Sequence, residues 1–220
     1  MPCQFLNFQF PISTMKLWSN TQTVNDLVEK FTIGQDNILD LRLARFDVLG
    51  TLAHIEMLTS IGLLTAEELA ILKPALRAIW GQIEAGEFTI ETGVEDVHSQ
   101  VELLLTRSLG DVGKKIHAGR SRNDQVLVDL RLFFRSEIRE VTGLVSELFE
   151  VLMAQAAAHE DVPMPGYTHT QVAMVSSFGL WFSAYAESLV DDLRLWQSVF
   201  EIVNQNPLGS AAGYGSSFPR

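Results

Sequence analysis

Apolar residues recur at spacings of three and four through the second half of the chain: Leu127, Leu130, Phe134, Ile138, Val141, Val145, Leu148 and Leu152. That spacing is the one-face repeat of a helix. No proline interrupts Asp124 to Asp161, so a single helix of about 50 Å is predicted there. Val126, Phe133, Leu144 and Phe149 widen its apolar face beyond a coiled-coil seam. A second stripe follows at Phe178, Trp181, Tyr185, Leu189, Leu193, Trp196, Phe200 and Val203. Two long helices with stripes this broad cannot cover each other alone. They predict a helical bundle, completed by other subunits.

Between the stripes, Val162 to Ala186 carries no charge if His169 is neutral. Its opening, VPMPGYTHTQ, is rich in turn and polar residues. The apolar remainder, Val172 to Ala186, falls short of the ~20 residues of a membrane span and contains Ser176, Ser177 and Ser183. A buried core helix is predicted here, and no membrane association.

The first half shows shorter helical patterns over Asp40–Ser60, Thr65–Gly86 and Glu95–Leu109. Thr65 with Glu68 three residues on forms a capping-box pattern, and Gly86 suits a C-terminal stop. Strand-like alternation is scarce, and no internal repeat is found. The predicted fold class is all-α.

Composition adds exclusions. The 220 residues hold 27 acidic and 16 basic side chains, a net charge of −11. An acidic surface argues against nucleic acid and anionic membranes as partners. The single cysteine, Cys3, allows no internal disulfide and fits a reducing compartment. The five histidines offer no pair three or four residues apart, so no metal site is expected. Residues 1–14 contain no charged side chain and lack the pattern of a secretory signal. They are expected to be a poorly ordered extension before Met15.

Three polar segments fall at helix ends. The first, Lys114 to Gln125 (KKIHAGRSRNDQ), gathers four of the 16 basic side chains into nine residues. Ser121, Asn123 and Asp124 are capping residues for the long helix. A helix N-terminus beside Arg120 and Arg122 suits a carboxylate; a solvated basic loop is the competing reading. The second, Pro165 to Gln171 (PGYTHTQ), crowds hydrogen-bonding groups around His169, whose imidazole exchanges a proton near neutral pH. There Thr168 or Thr170 acting as a simple helix cap competes with a functional reading. The third, Asn204 to Ser217, is glycine-rich but lacks the lysine of a phosphate loop. Arg131, Arg135 and Arg139 form a like-charged stripe at four-residue spacing, either a subunit contact or a solvated face.

In order and wording, G-R-S-R-N-D-Q at 119–125, G-Y-T-H-T-Q at 166–171 and N-P-L-G-S-A-A-G-Y-G at 206–215 resemble the argininosuccinate lyases of the fumarase/aspartase superfamily. Lys16-Leu17-Trp18, Glu29-Lys30-Phe31 and Glu95-Asp96-Val97-His98 extend the resemblance from Met15 to Arg220. The resemblance implies a cytoplasmic, cofactor-free enzyme that cleaves argininosuccinate to arginine and fumarate. By the same resemblance, His169 is the acid–base histidine, Ser121, Arg122, Asn123 and Thr168 contact substrate, and His98 lies close by. It implies a homotetramer pooling its long helices, with a small helical domain over 15–118 and the first part of the central bundle over 119–220. The family's mobile loop of the form G-S-S-x-M-P-x-K-x-N-P has no counterpart in these 220 residues, so the chain alone is expected to be inactive. The family's N-terminal substrate serine also lacks a clear counterpart in Glu29–Gln35. A non-catalytic, crystallin-like relative and another fumarate-releasing lyase are the alternative readings.

Overall fold

The computed structural model describes residue 31 and residues 34–207. Residues 1–14, the Lys16-Leu17-Trp18 motif and nearly all of the 206–215 motif lie outside the described residues. The chain divides into two compact units, one running to Asp129 and the other over Leu130–Pro207.

In the first unit, α1 (Asp36–Leu39) and a 3-10 turn (Asp40–Arg42) lead into α2 (Ala44–Ser60). Helix α3 (Ala66–Glu84) starts where the capping box predicts. Thr65 Oγ1 accepts from Glu68 N at 3.2 Å, and Glu68 Oε2 accepts from Thr65 N at 3.0 Å. Gly86, with φ of 70°, takes the chain out of that helix through the left-handed region. Helix α4 (Val97–Leu109) is capped by Asp96, whose carboxylate accepts from Ser99 N at 2.8 Å. A short α5 (Asp111–Lys114) and a 3-10 turn (Lys115–His117) follow. The core joins Val48, Ile55 and Leu58 of α2, Leu72 and Leu76 of α3, Val101 and Leu105 of α4, and Ile116. Each such side chain contributes about 1.5–3 kcal/mol by leaving water.

Helix α6 (Arg122–Ala158) is the long helix the periodicity predicts, 37 residues without a break. Its first eight residues belong to the first unit and the rest to the second. In the second unit it is followed by a hairpin and by α7 (Phe178–Val203).

The hairpin corrects the sequence reading. Strand β1 (Pro163–Thr168) pairs antiparallel with β2 (Gln171–Ser177), so Val172–Ala186 is not one core helix. The helix starts at Phe178, where Ser177 Oγ accepts from Leu180 N at 3.1 Å. Neither Thr168 nor Thr170 caps it. β-Branched Val172 and Val175 favour the strand, and the run is not buried: Val172 is 69% and Val175 86% exposed. The bulge between Gly166 and Tyr167 follows from the register, with Gly166 opposite Met174 and Tyr167 opposite Val172.

The apolar stripes of α6 and α7 remain partly uncovered, Leu144 and Leu195 being 58% and 68% exposed. The arginine stripe makes contacts within the chain. Arg131 Nη1 donates to the Ile202 carbonyl at 2.9 Å, near the end of α7. Arg135 and Arg139 lie 5.9 and 5.3 Å from the Phe200 ring centroid.

Gly113 marks a close helix contact in the first unit. A Cβ there would sit 2.5 Å from Leu105 C and O and 2.6 Å from Thr106 N, all backbone atoms. Gly113→Ala is therefore expected to lower stability by about 1–3 kcal/mol, because backbone cannot yield as a side chain does. Chemical denaturation of the two proteins checks it; an unchanged midpoint contradicts the packing.

Candidate functional site

The site in the first unit is built on a polar stripe in an apolar face. Asp47, Thr51 and His54 occupy buried positions of α2 alongside Val48, Ile55 and Leu58. The N-terminal end of α6 lies against them because Gly50 has no side chain. A Cβ there would meet Gln125 Nε2 at 3.3 Å and Val128 Cγ1 at 3.4 Å.

Gln125, fully buried, organises the polar contacts. Its amide nitrogen donates toward the Asp47 carbonyl and Asp47 Oδ2, both at 3.1 Å, and toward Asp129 Oδ1 at 3.2 Å. Its amide oxygen accepts from Arg120 Nη1. Arg120 Nη2 donates to Thr51 Oγ1 at 3.0 Å. This arrangement fixes the amide orientation, since only the oxygen can face a guanidinium. Burial pulls the Arg120 guanidinium down to about 10, which leaves it charged at neutral pH.

Asp47 Oδ1 and Asp129 Oδ2 are buried without a donor. Burial first, and then the neighbouring Asp47, push Asp129 up to about 9. A proton held by Asp129 is the donor this pair otherwise lacks.

From Asp47 a chain of hydrogen bonds leads outward. His98, fully buried on α4, places Nδ1 3.1 Å from Asp47 Oδ2 and Nε2 3.0 Å from His117 Nδ1. His98 Nδ1–H donates to the carboxylate, so one proton lies between the two imidazoles. His117 is half-buried, and desolvation, followed by His98, lowers its pKa. Asp47, His98 and His117 thus form a hydrogen-bonded relay from the core to a half-buried imidazole.

The predicted residues fall in two places. His98 is in the relay. Ser121 is the cap of α6: its N and Oγ donate to Asp124 Oδ2 at 2.7 and 3.0 Å. Asn123 is exposed, the second residue of the helix. Arg122 is held at 2.9 Å by Glu95 Oε2 and at 3.1 Å by Asp96 Oδ2, with a longer contact to Ser99 Oγ at 3.4 Å. The motifs at 95–98 and 119–125 therefore meet in the first unit. Thr168 and His169 belong to the second unit, at the tip of the hairpin. His169 and Thr170 form its two-residue turn with φ of 50° and 61°, the signs of a type I′ turn. Both residues are exposed. For a β-branched threonine the left-handed region is costly, and such strain tends to mark functional turns.

Sequence reasoning missed Asp47, Thr51, His117 and Asp129. The readable signal was polar residues at core-facing positions of α2, and Gln125 with Asp129 four residues apart on α6.

Residues 19–219 match the sequence profile of a family described as lyase. The match spans most of the chain, which therefore belongs to the lyase family. Within it, the chain is 64% identical over 204 residues to the argininosuccinate lyase of Phocaeicola vulgatus, covering 93% of this chain and 46% of the relative. It is 42% identical over 200 residues to that of Thermotoga neapolitana, covering 91% of this chain and 50% of the relative. The chain thus spans about half the length of these curated relatives. Among solved structures, an EDDS lyase variant with bound fumarate superposes with a TM-score of 0.69 at 29% identity, over 89% of this chain and 38% of that one. A fumarate lyase:delta crystallin from Brucella melitensis gives 0.69 at 17% identity, over 83% and 45%, a likeness of fold.

The Asp129 carboxyl gives a pH prediction. Its pKa is raised above the unfolded value, so the folded protein binds the proton more tightly. The resulting stability is complete below about 4 and is lost as pH rises toward about 9. Asp129→Asn keeps the shape and an N–H toward Asp47. It is expected to flatten the decline in unfolding free energy between pH 5 and pH 9, by up to about 1.4 kcal/mol per pH unit. Urea titrations across that range read it; parallel curves for the two proteins contradict a protonated Asp129.

Proposed function

We propose that the chain is the N-terminal part of an argininosuccinate lyase, which cleaves argininosuccinate to arginine and fumarate. The observation that carries this reading is the 64% identity to such an enzyme over 93% of the chain, in a stretch that includes both polar motifs. The fumarate bound to an EDDS lyase of similar fold supports a dicarboxylate product.

The reaction is an elimination. A base takes the proton from the carbon beside one carboxylate of the succinyl group, and the electron pair is held as an aci-carboxylate. The C–N bond then breaks, the guanidino nitrogen takes a proton and leaves as arginine, and the double bond of fumarate forms. Such a site must grip carboxylates with fixed donors and hold developing charge away from bulk water. In this reading Ser121 and Asn123, at the N-terminus of α6, receive a carboxylate, helped by the helix dipole. Arg122, engaged by Glu95 and Asp96, holds that turn in place while its charge faces the same ligand. Thr168 binds substrate, His169 exchanges the proton, and His98 supports the site through the relay to His117.

The uncovered stripes support a homotetramer. Between α6 and α7 a cleft of about 550 Å³ is lined by Ile138, Arg139, Thr142, Leu193, Trp196, Gln197 and Phe200, room for side chains of further bundle helices. Part of α6 also has the length and composition of a membrane span, but the charged positions along the helix suit a bundle better. The setting is cytoplasmic, and the reaction needs no organic cofactor.

The ultraviolet absorbance of fumarate tests the reading. Argininosuccinate is expected to be cleaved when the C-terminal half of a relative is supplied, and not by the 220-residue chain alone. In the completed enzyme, His169→Asn is expected to lower kcat by about 10²–10⁴-fold, the span of general acid–base catalysis. Turnover of adenylosuccinate in place of argininosuccinate overturns the substrate, and full activity of the chain alone overturns the incomplete site.

A further inference from the structure

His98, Glu102 and His117 bring one ligand atom each within 4.8 Å of one another. We propose that these three side chains form a binding site for one divalent ion of the zinc class, with ligands His98 Nε2, His117 Nδ1 and the Glu102 carboxylate.

Three features of the site support the assignment. His98 Nδ1 is committed to Asp47 Oδ2 at 3.1 Å, so Nε2 is the nitrogen presented outward. A histidine backed by a carboxylate in this way is oriented and made more basic, the arrangement metal-ligating histidines use. Next, His98 Nε2 and His117 Nδ1 are 3.0 Å apart. Two imidazole nitrogens on a tetrahedral zinc, each about 2.0–2.1 Å from the ion, lie about 3.3 Å from each other. An ion therefore replaces the single proton between the rings, and they part by a few tenths of an ångström. Finally, Glu102 stands one turn after His98 on α4, on the same face, and is partly buried. Its carboxylate already lies within 4.8 Å of both imidazole nitrogens.

The donor set selects the ion. Two imidazoles and a carboxylate suit zinc, cobalt or nickel; calcium and magnesium take all-oxygen shells. His117 is half-buried, so the fourth position opens toward water. Arg120 and Arg122 act on His117 against the field of Glu102. Their charge weakens binding, so the site is not expected to rival a closed structural zinc centre. A bound ion ties α4 to the 3-10 turn before α6 and takes both imidazoles out of proton exchange.

Cobalt(II) titrated into the 220-residue chain tests the site through its visible d–d absorption, with calorimetry for stoichiometry. One ion per chain is expected, with the intense bands of four- or five-coordinate cobalt and a raised thermal midpoint. His117→Gln and Glu102→Gln, each verified as folded by circular dichroism, are expected to weaken binding at least about tenfold, while His159→Gln leaves it unchanged. Absence of the bands overturns the proposal, as does binding that survives both substitutions or is lost with His159. The readout is metal absorption, so this result stands apart from the lyase reading.

Discussion

The first unit depends on one buried amide. Gln125 stands between a guanidinium on one side and two carboxyl groups on the other, and each would be costly to bury alone. Its oxygen faces Arg120 and its nitrogen faces Asp47 and Asp129. With the proton on Asp129, the buried set holds one carboxylate, Asp47, against one guanidinium. The charges balance, and the core tolerates them. Because these groups come from α2, α6 and the segment between α5 and α6, the network fixes how those elements meet. It also sets His98, since the same Asp47 oxygen that receives the amide receives the imidazole. Positioning of the motif at 95–98 is thus a consequence of a glutamine in the motif at 119–125.

Arg122 shows the same economy. The sequence places it in a basic segment beside a helix N-terminus; in the structure Glu95 and Asp96 hold its planar fork. A guanidinium with five donors engages two acids and still presents charge to a ligand, which a lysine cannot do in the same geometry. Arg135 and Arg139 likewise spend their charge locally, over the Phe200 ring. The stripe that would repel itself in isolation is settled by contacts with α7.

Much of this was legible beforehand because it is local. The stripes of α6 and α7, the Thr65–Glu68 cap and the stop at Gly86 follow from spacings within a few residues. The hairpin was not legible: Val172–Ala186 reads as one apolar run, and whether its first part pairs as a strand depends on β1 across the turn. The relay was not legible either. Asp47 and His98 are 51 positions apart and His98 and His117 are 19 apart, so no window along the chain contains them. The pair His98 and Glu102 did lie in plain view four residues apart, but a search confined to histidine–histidine spacing passes over a carboxylate ligand.

The turn at the hairpin tip has a consequence for how this protein responds to selection. A two-residue turn of this kind is best written Asn-Gly, because glycine accepts positive φ without a steric penalty. The chain writes His169-Thr170 instead, with a branched side chain where the backbone least tolerates one. Screening for heat tolerance alone would soon rewrite these two positions, and in doing so would remove the imidazole. If His169 has the acid–base role proposed for it, improvement by that criterion and retention of chemistry pull in opposite directions at this turn. A library built to stabilise the protein should hold residues 169 and 170 fixed and look for its gains elsewhere.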